Sequence, residues 1–483
     1  MIRSCSHVLP RSSQVAGLVL LFVALVAWGP PELRGGEKAS DPVIDAMTAE
    51  LSRSTKGLNL DGFPAPYFLA YRISDAQVLD ISARAGALFS GVGSVIPMRS
   101  VYVEARVGDY DFDNFSTRDI SFNTYMPDYM PTGVGPIEDE PAAIRHTLWL
   151  LSDARYKEAL STYNRLRGEQ VYAQENDTRT RGFAHASGGG QGLRAKGSLP
   201  ELPKLPTLDA KAWAARMKEV SAVFLEQPLI FESEARLRIV TMTERVVNSE
   251  GRRSQARRSY YEIHVTAMTR ADDGMLVDHG LHLYSRDGKE LPDQQALLGQ
   301  TRELVAQVLA LREAPKLQPF TGPAILGPLA TGVFFHETIG HRLEGERRNK
   351  EFEGKTFDEK IGQKILPEFL SLVDDPTQAR FEGTPLFGHY RVDEEGEPAE
   401  RVALIEAGVL KSWLMSRQVV DGVARSNGHG RASGGAKPMS RMGNLFVSST
   451  RSVSHAELKQ ALMAEVKRQG KPFGLIIDEI EGG

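Results

Sequence analysis

The chain has 483 residues, 41% of them apolar and 25% charged, and its 58 Lys and Arg against 62 Asp and Glu leave a formal net charge of −4. These ordinary globular values exclude a disordered, collagenous or coiled-coil chain, and the near-neutral balance gives no overall electrostatic reason to bind nucleic acid or an anionic membrane. At roughly 150 residues per domain the length fits two or three units, and the single cysteine, Cys5, excludes an intrachain disulfide or a cysteine-based zinc knuckle.

The first thirty residues read as a secretory signal peptide. Arg3 and Arg11 precede an apolar run from Val15 to Trp28, closed by Gly29-Pro30-Pro31. The run is short for a spanning helix, which needs about 20 residues. The expected destination is a periplasm or the cell exterior. The alternative is an uncleaved N-terminal anchor, the one route by which this chain would meet a membrane.

Asp41-Pro42 is an N-cap and first-turn pair opening a helix through about Ser54. Residues 65–110 read as strands, led by Tyr67–Tyr71 and Val101–Val107. Residues 141–173 read as a helix with Leu148, Leu151, Tyr156 and Leu160 on its buried stripe. A Gly/Ser/Pro-rich linker is expected from about His185 to Pro206, then a helix over Asp209–Leu225. A hairpin follows, with Leu237, Ile239 and Thr241 alternating on one arm, a turn at Asn248–Gly251, and Tyr261, Ile263 and Val265 alternating on the other. Arg252, Arg253, Arg257 and Arg258 flank that turn and read as a solvated hairpin arm, because no aromatics suited to single-stranded nucleic acid are interleaved with them. A helix over about Gln294–Arg312 ends the first half. In the second half, helices are expected at 328–346 and Asp358–Phe369, strands at 387–392 and 401–406, and a last helix opened by the capping box Ser454/Glu457, before an apolar strand within Phe473–Ile480.

The segment that carries chemistry is His336-Glu337-Thr338-Ile339-Gly340-His341. Neutral imidazoles hold a metal ion in zinc peptidases while a carboxylate deprotonates the water beside it. The usual spacing of the histidines is i and i+4; here it is i and i+5. On an α-helix five residues advance about 500°, which leaves the rings about 140° apart. A local π-bulge would return them to one face, and Gly340 makes such a distortion plausible. Spacing alone favours the blander reading, in which Glu337, His341 and Glu344 form a solvated stripe paired with Arg342 and Arg348. A further variant has Glu337, His341 and Glu344 as the metal ligands. The apolar lead-in Ala330, Val333, Phe334 and Phe335 argues for burial, and buried His and Glu without partners are costly, a cost that a metal would answer.

Here the sequence resembles the TldD/PmbA family of metallopeptidases. The resemblance rests on Gly327–Arg348, on Gly388–Gly396 with Pro398-Ala399, on Leu404–Leu410 with Ser416-Arg417, and on Gly428-His429-Gly430-Arg431 with Pro438–Asn444, in the family's order across about 315–483. Over 41–310 the match is looser. It implies zinc held by His336 and His341, Glu337 as general base, and a peptide-gripping cleft shaped by Gly428, His429, Gly430 and Arg431, with Glu344, Arg441 and Asn444 as further site candidates. His429 by itself reads as an ordinary hydrogen-bonding histidine. The family's third zinc ligand is a cysteine beyond the strand that Phe473–Ile480 resembles. This sequence places none there, so the expectation is a C-terminally truncated member, with His429 or Glu344 as possible substitutes.

The resulting expectation is an α+β protein: a mixed N-terminal domain over 41–314 and a β-rich C-terminal domain over 315–483 that carries the metal-binding helix. The expected activity is zinc-dependent hydrolysis of unfolded or short peptides, in a homodimer or in a heterodimer with a TldE/PmbA-like paralogue, without nucleic acid. The alternative is a catalytically inactive partner or peptide-binding subunit.

Overall fold

The computed structural model describes residues 41–90, 95–115, 133–172, 182–187, 199–349, 355–420, 423 and 425–480. The expected signal peptide and the Gly188–Gly190 part of the expected linker lie outside the described residues.

The first half is built on one antiparallel sheet. Its elements are α1 (Pro42–Gly57), β1 (Pro66–Arg84), β2 (Ala87–Ser90), β3 (Ile96–Val107), α2 (Pro141–Tyr172), α3 (Ala210–Ala222), β4 (Ile230–Asn248), β5 (Arg253–Arg270), β6 (Leu276–Ser285) and α4 (Gln294–Glu313). The strand order is β2-β1-β4-β5-β6, with β3 also on β1. Asp41 caps α1 by accepting the amides of Val43 and Ile44, and Pro42 takes the first turn, where a missing N–H costs nothing.

Strand alternation decides what each sheet face meets. Odd-numbered residues of the long strands, such as Leu69, Tyr71, Ile73, Leu79, Ile81, Leu237, Ile239, Ile263 and Val265, are apolar and buried. Beneath them, α1 and α2 close one core and α3 and α4 close a second. The even-numbered face carries Arg72, Glu104, Arg106, Glu244 and Arg258, which are buried or nearly so. Charges on that face are covered because the second half of the chain docks there: Arg72 donates to the carbonyls of Gly434 and Ala436, and Arg258 pairs with Glu394 at 2.8 Å.

The second half comprises β7 (Ala324–Leu326), α5 (Pro328–Phe335), β8 (Leu370–Asp374), β9 (Arg380–Phe381), β10 (Thr384–Pro385), β11 (Val402–Glu406), β12 (Val409–Leu410), β13 (Gly430–Arg431), β14 (Met439–Ser440), β15 (Leu445–Ser449), α6 (His455–Arg468) and β16 (Leu475–Ile477). The largest sheet runs β12-β11-β8-β15, and a third core forms over it from Ile339, Leu343, Leu372, Leu404, Trp413 and Leu414. The architecture is α+β, as expected from the sequence. Among the described residues no helix is long and apolar enough to cross a membrane.

Three expectations are corrected. No helix forms over Asp358–Phe369: Gly362 has a positive φ of 79°, Pro367 lacks an N–H, and the amides of Gly362 and Ile365 bond instead to the carbonyls of Leu410 and Gly408. Residues 387–392 form a loop rather than a strand. A Cβ at Gly388 would lie 2.1 Å from the Gly443 carbonyl oxygen, and Tyr390 bonds back to Pro376. Two of the four hairpin arginines, Arg252 and Arg258, are not on a solvated arm. Arg252 is buried against Glu397 at 2.7 Å and Arg258 is held between Glu244 and Glu394, while Arg253 remains partly exposed.

Candidate metal centre

The site is carried by the junction of β7 and α5. β7 pairs in parallel with β16, and the first helical amides find partners there: Gly327 donates to Ile477 and Ala330 to Asp478. Pro328 opens α5 at a position that needs no N–H. After Phe335 the helix widens into one π-turn over His336–Gly340, closed by the amide of His341 donating to the carbonyl of His336. That extra residue removes the angular offset expected for i and i+5 spacing. The two imidazole centroids lie 4.5 Å apart with the rings at 80°.

Glu337 completes the constellation. Its carboxylate lies 3.7 Å from Nε2 of His336 and 3.9 Å from Nε2 of His341. One ligand atom from each of the three lies within 4.8 Å of the others, and among the described residues no other such group of His, Cys, Asp or Glu is found. The side chains of His336 and Glu337 are 50% and 40% exposed, that of His341 24%, so the cluster opens to solvent on the His336 side. Burial, and then the neighbouring His341, hold the proton affinity of His336 below its ordinary value. A neutral imidazole at neutral pH is the form that can bind a cation. Two imidazole nitrogens facing one point suit a borderline divalent ion such as zinc, and the Glu337 carboxylate lies beside them.

Glu344 does not join the ligand atoms. Its side chain is 1% exposed, and its Oε1 lies 2.9 Å from Nδ1 of His341. Arg347 donates to its Oε2 at 2.6 Å, and Arg441 lies 3.4 Å away, so the carboxylate, flanked by two guanidiniums, is placed to accept from Nδ1 of His341. This leaves Nε2 of His341 free to face the cluster. Gly340 permits the close approach beneath: a Cβ there would meet Sδ of Met442 at 2.2 Å.

The Gly428–Arg431 loop was expected to grip a peptide, and the structure engages it otherwise. Gly428 donates to the Ser426 hydroxyl and Gly430 to Oδ2 of Asp393. His429 is fully buried with Nε2 3.1 Å from Asp374, which also rules it out as a substitute ligand in this conformation. Arg431 stacks on Tyr390 at 3.9 Å and pairs with Glu394. Asn444 donates to the carbonyls of Asp375 and Gln378. These residues brace the second unit. Of this group Arg441 alone reaches the centre, through Glu344. Sequence reasoning missed Arg347 as a partner of the centre; its i+3 spacing from Glu344 was the available signal.

Comparison with known proteins adds the following. Residues 320–483 match the family model described as the PmbA/TldA metallopeptidase C-terminal domain. A metalloprotease of Methanocaldococcus jannaschii is 37% identical over 124 residues, 26% of this chain and 26% of that protein. A metalloprotease TldD homolog of Buchnera aphidicola subsp. Acyrthosiphon pisum is 36% identical over 135 residues, 27% of this chain and 26% of that protein. The matched stretch therefore spans about a quarter of the length of these curated relatives. The crystal structure of TldE from Thermococcus kodakarensis superposes with a TM-score of 0.51 at 15% identity, covering 91% of this chain and 83% of that one, which is a likeness of fold.

Proposed function

Since the chain belongs to the TldD/PmbA family, we propose that it is a zinc-dependent peptidase acting on unfolded or short peptides, with His336 and His341 as metal ligands and Glu337 as general base. The observation that carries this reading is the π-turn over His336–Gly340, which brings two imidazoles and a carboxylate together from a spacing that a regular helix would separate.

The ion, when bound, supplies Lewis-acid polarisation of the scissile carbonyl and a lowered pKa for attacking water. The protein's own groups do the rest. Glu337, adjacent in chain to one ligand and one turn from the other, takes the proton of the attacking water and passes it to the departing amine. Glu344 holds His341 in the Nδ1–H tautomer with its Nε2 toward the centre. Arg441, 3.4 Å from Glu344, brings a positive charge to the edge of the centre.

Assembly as a homodimer, or with a TldE/PmbA-like paralogue, and export by the N-terminal leader belong to the same proposal. The test is metal stoichiometry of the purified chain by elemental mass spectrometry beside His336→Ala and His341→Ala, followed by peptide cleavage with Glu337→Gln. Near one zinc per chain, lost in both histidine variants, with cleavage abolished in Glu337→Gln, supports the reading. Zinc without cleavage would leave the peptide-binding subunit in its place.

A further inference from the structure

A second pair of imidazoles lies on the first-half sheet, within the span 41–313 and outside the centre described above. His264 on β5 and His282 on β6 are direct cross-strand partners. Their Nε2 atoms are 2.9 Å apart and their ring centroids 3.7 Å apart. At that distance one ring donates its Nε2 proton to the lone pair of the other, so both rings already aim Nε2 at a shared point.

The arrangement is built into the backbone. His282 folds back along its strand over Gly280, and a Cβ at position 280 would sit 2.8 Å from Nε2 of His282. Glycine inside a strand weakens it, and here the missing side chain is the space that the ring occupies. Strand alternation places His264 and His282 on the sheet face opposite α3 and α4, since Ile263, Val265 and Leu281 belong to the core on the helix side. On the same face, Tyr260 and Tyr284 pack against Phe387 at 5.6 Å and 5.8 Å, so the pair lies beside the landing place of the second unit.

The surroundings favour a cation. Glu262 and Glu479 contribute negative charge at His282, while burial and then the His264 ring lower its affinity for a second proton. Glu479, from the second unit, lies 3.6 Å from Nδ1 of His279 on the same strand.

We propose that His264 and His282 form a second metal site, a two-imidazole clamp for a late divalent transition ion such as Zn²⁺ or Cu²⁺, with its remaining positions open to water. Imidazole nitrogen is a preferred donor for these ions. Binding costs no net proton: the ring that donated at Nε2 shifts its proton to Nδ1, and the ion takes the place of the shared hydrogen. The inference does not depend on the peptidase reading, because its readout is metal binding and not cleavage.

The test uses the full chain without a histidine tag, carrying His336→Ala and His341→Ala to silence the first centre, titrated with Zn²⁺ and separately with Cu²⁺ by calorimetry. The expected result is one ion per chain. Adding His264→Ala, or separately His282→Ala, should weaken binding at least about tenfold, or about 1.4 kcal/mol. Gly280→Ala should weaken it as well, by displacing the His282 ring. Both histidines lie at the sheet surface, so circular dichroism and the melting temperature should be unchanged in the histidine variants. Absence of binding in the doubly substituted background, or binding that survives His264→Ala, would overturn the site.

Discussion

Oε1 of Glu344 lies 2.9 Å from Nδ1 of His341, and the carboxylate that makes this contact is buried between two arginines. The pairing fixes the ring's tautomer and orientation before any ion arrives. Glu344→Gln keeps the shape but weakens the hold on the Nδ1 proton. The expected outcome is a loss of zinc affinity of about 10–100-fold, the usual size for a group that orients a metal-bound histidine. Competition with a metallochromic chelator measures it. Glu337→Gln should in contrast keep the metal and lose cleavage, so equal metal loss in both variants would contradict the separate roles.

Gly340 sets the distance between the π-turn and the loop below it. In Gly340→Ala the added methyl meets Met442 Sδ, a contact that must be relieved by displacement. Overpacking of this kind costs about 1–3 kcal/mol. Chemical denaturation should show that loss together with weaker zinc binding. Pairing Gly340→Ala with Met442→Ala should show positive coupling, since the second change removes the atom that the first collides with. Strict additivity would mean that the methyl is accommodated elsewhere.

The carboxylates at 393–397 predict how stability depends on pH. Asp393 accepts the amides of Glu395, Glu397 and Gly430, but burial outweighs those donors and pushes its carboxyl up to about 7. The neighbouring Glu395 carboxyl is likewise pushed well above its ordinary value by burial, by Asp393 and by Glu104. A carboxyl with a raised folded pKa stabilises the fold at pH below its unfolded value, about 4.5, and that contribution falls away as pH rises toward the folded value. Glu395→Gln mimics the protonated form without titrating. Melting temperatures of the two proteins should converge below about pH 4.5 and diverge toward pH 9, with the variant the more stable there. A difference independent of pH would assign the proton elsewhere.

Arg252 and Glu397 join the two halves of the chain as a buried pair at 2.7 Å. Removing one partner leaves the other charge buried without its counterion, which costs about 3–5 kcal/mol. Arg252→Ala should lower the unfolding free energy by that order in urea, whereas Arg253→Ala, on a partly exposed side chain, should change it by less than about 1 kcal/mol. Similar small effects in both would show that the interface at Glu397 does not hold the halves together.

The elements with local signatures were legible. Leu148, Leu151, Tyr156 and Leu160 are buried on α2 as their spacing required, and Ser454 and Glu457 form the capping box that opens α6. The π-turn was legible too, because two histidines five residues apart can share a face only if the helix widens between them. The roles of Glu344, Gly428 and Gly430 were not. Each could bind a ligand by its chemistry, and only its bonded neighbours, His341 for the first, Ser426 and Asp393 for the others, show that its groups are already engaged. The His264–His282 pair escaped as well, since its geometry depends on strand register and on the vacancy at Gly280.

What the sequence determined by itself was chemistry and periodicity: the caps, the strand alternation, the helical stripe, and a His-Glu-His segment whose spacing demands an irregular turn. Those properties depend on residues within a few positions of one another. The tertiary structure alone decided which charges became partners. Arg252 meets Glu397 and Arg258 meets Glu394 across separations of 145 and 136 residues, and a strand's alternation says that one face is polar without saying what will cover it. Here it is covered by the second half of the chain, so arginines that look solvated in the sequence become the buried joint of the molecule.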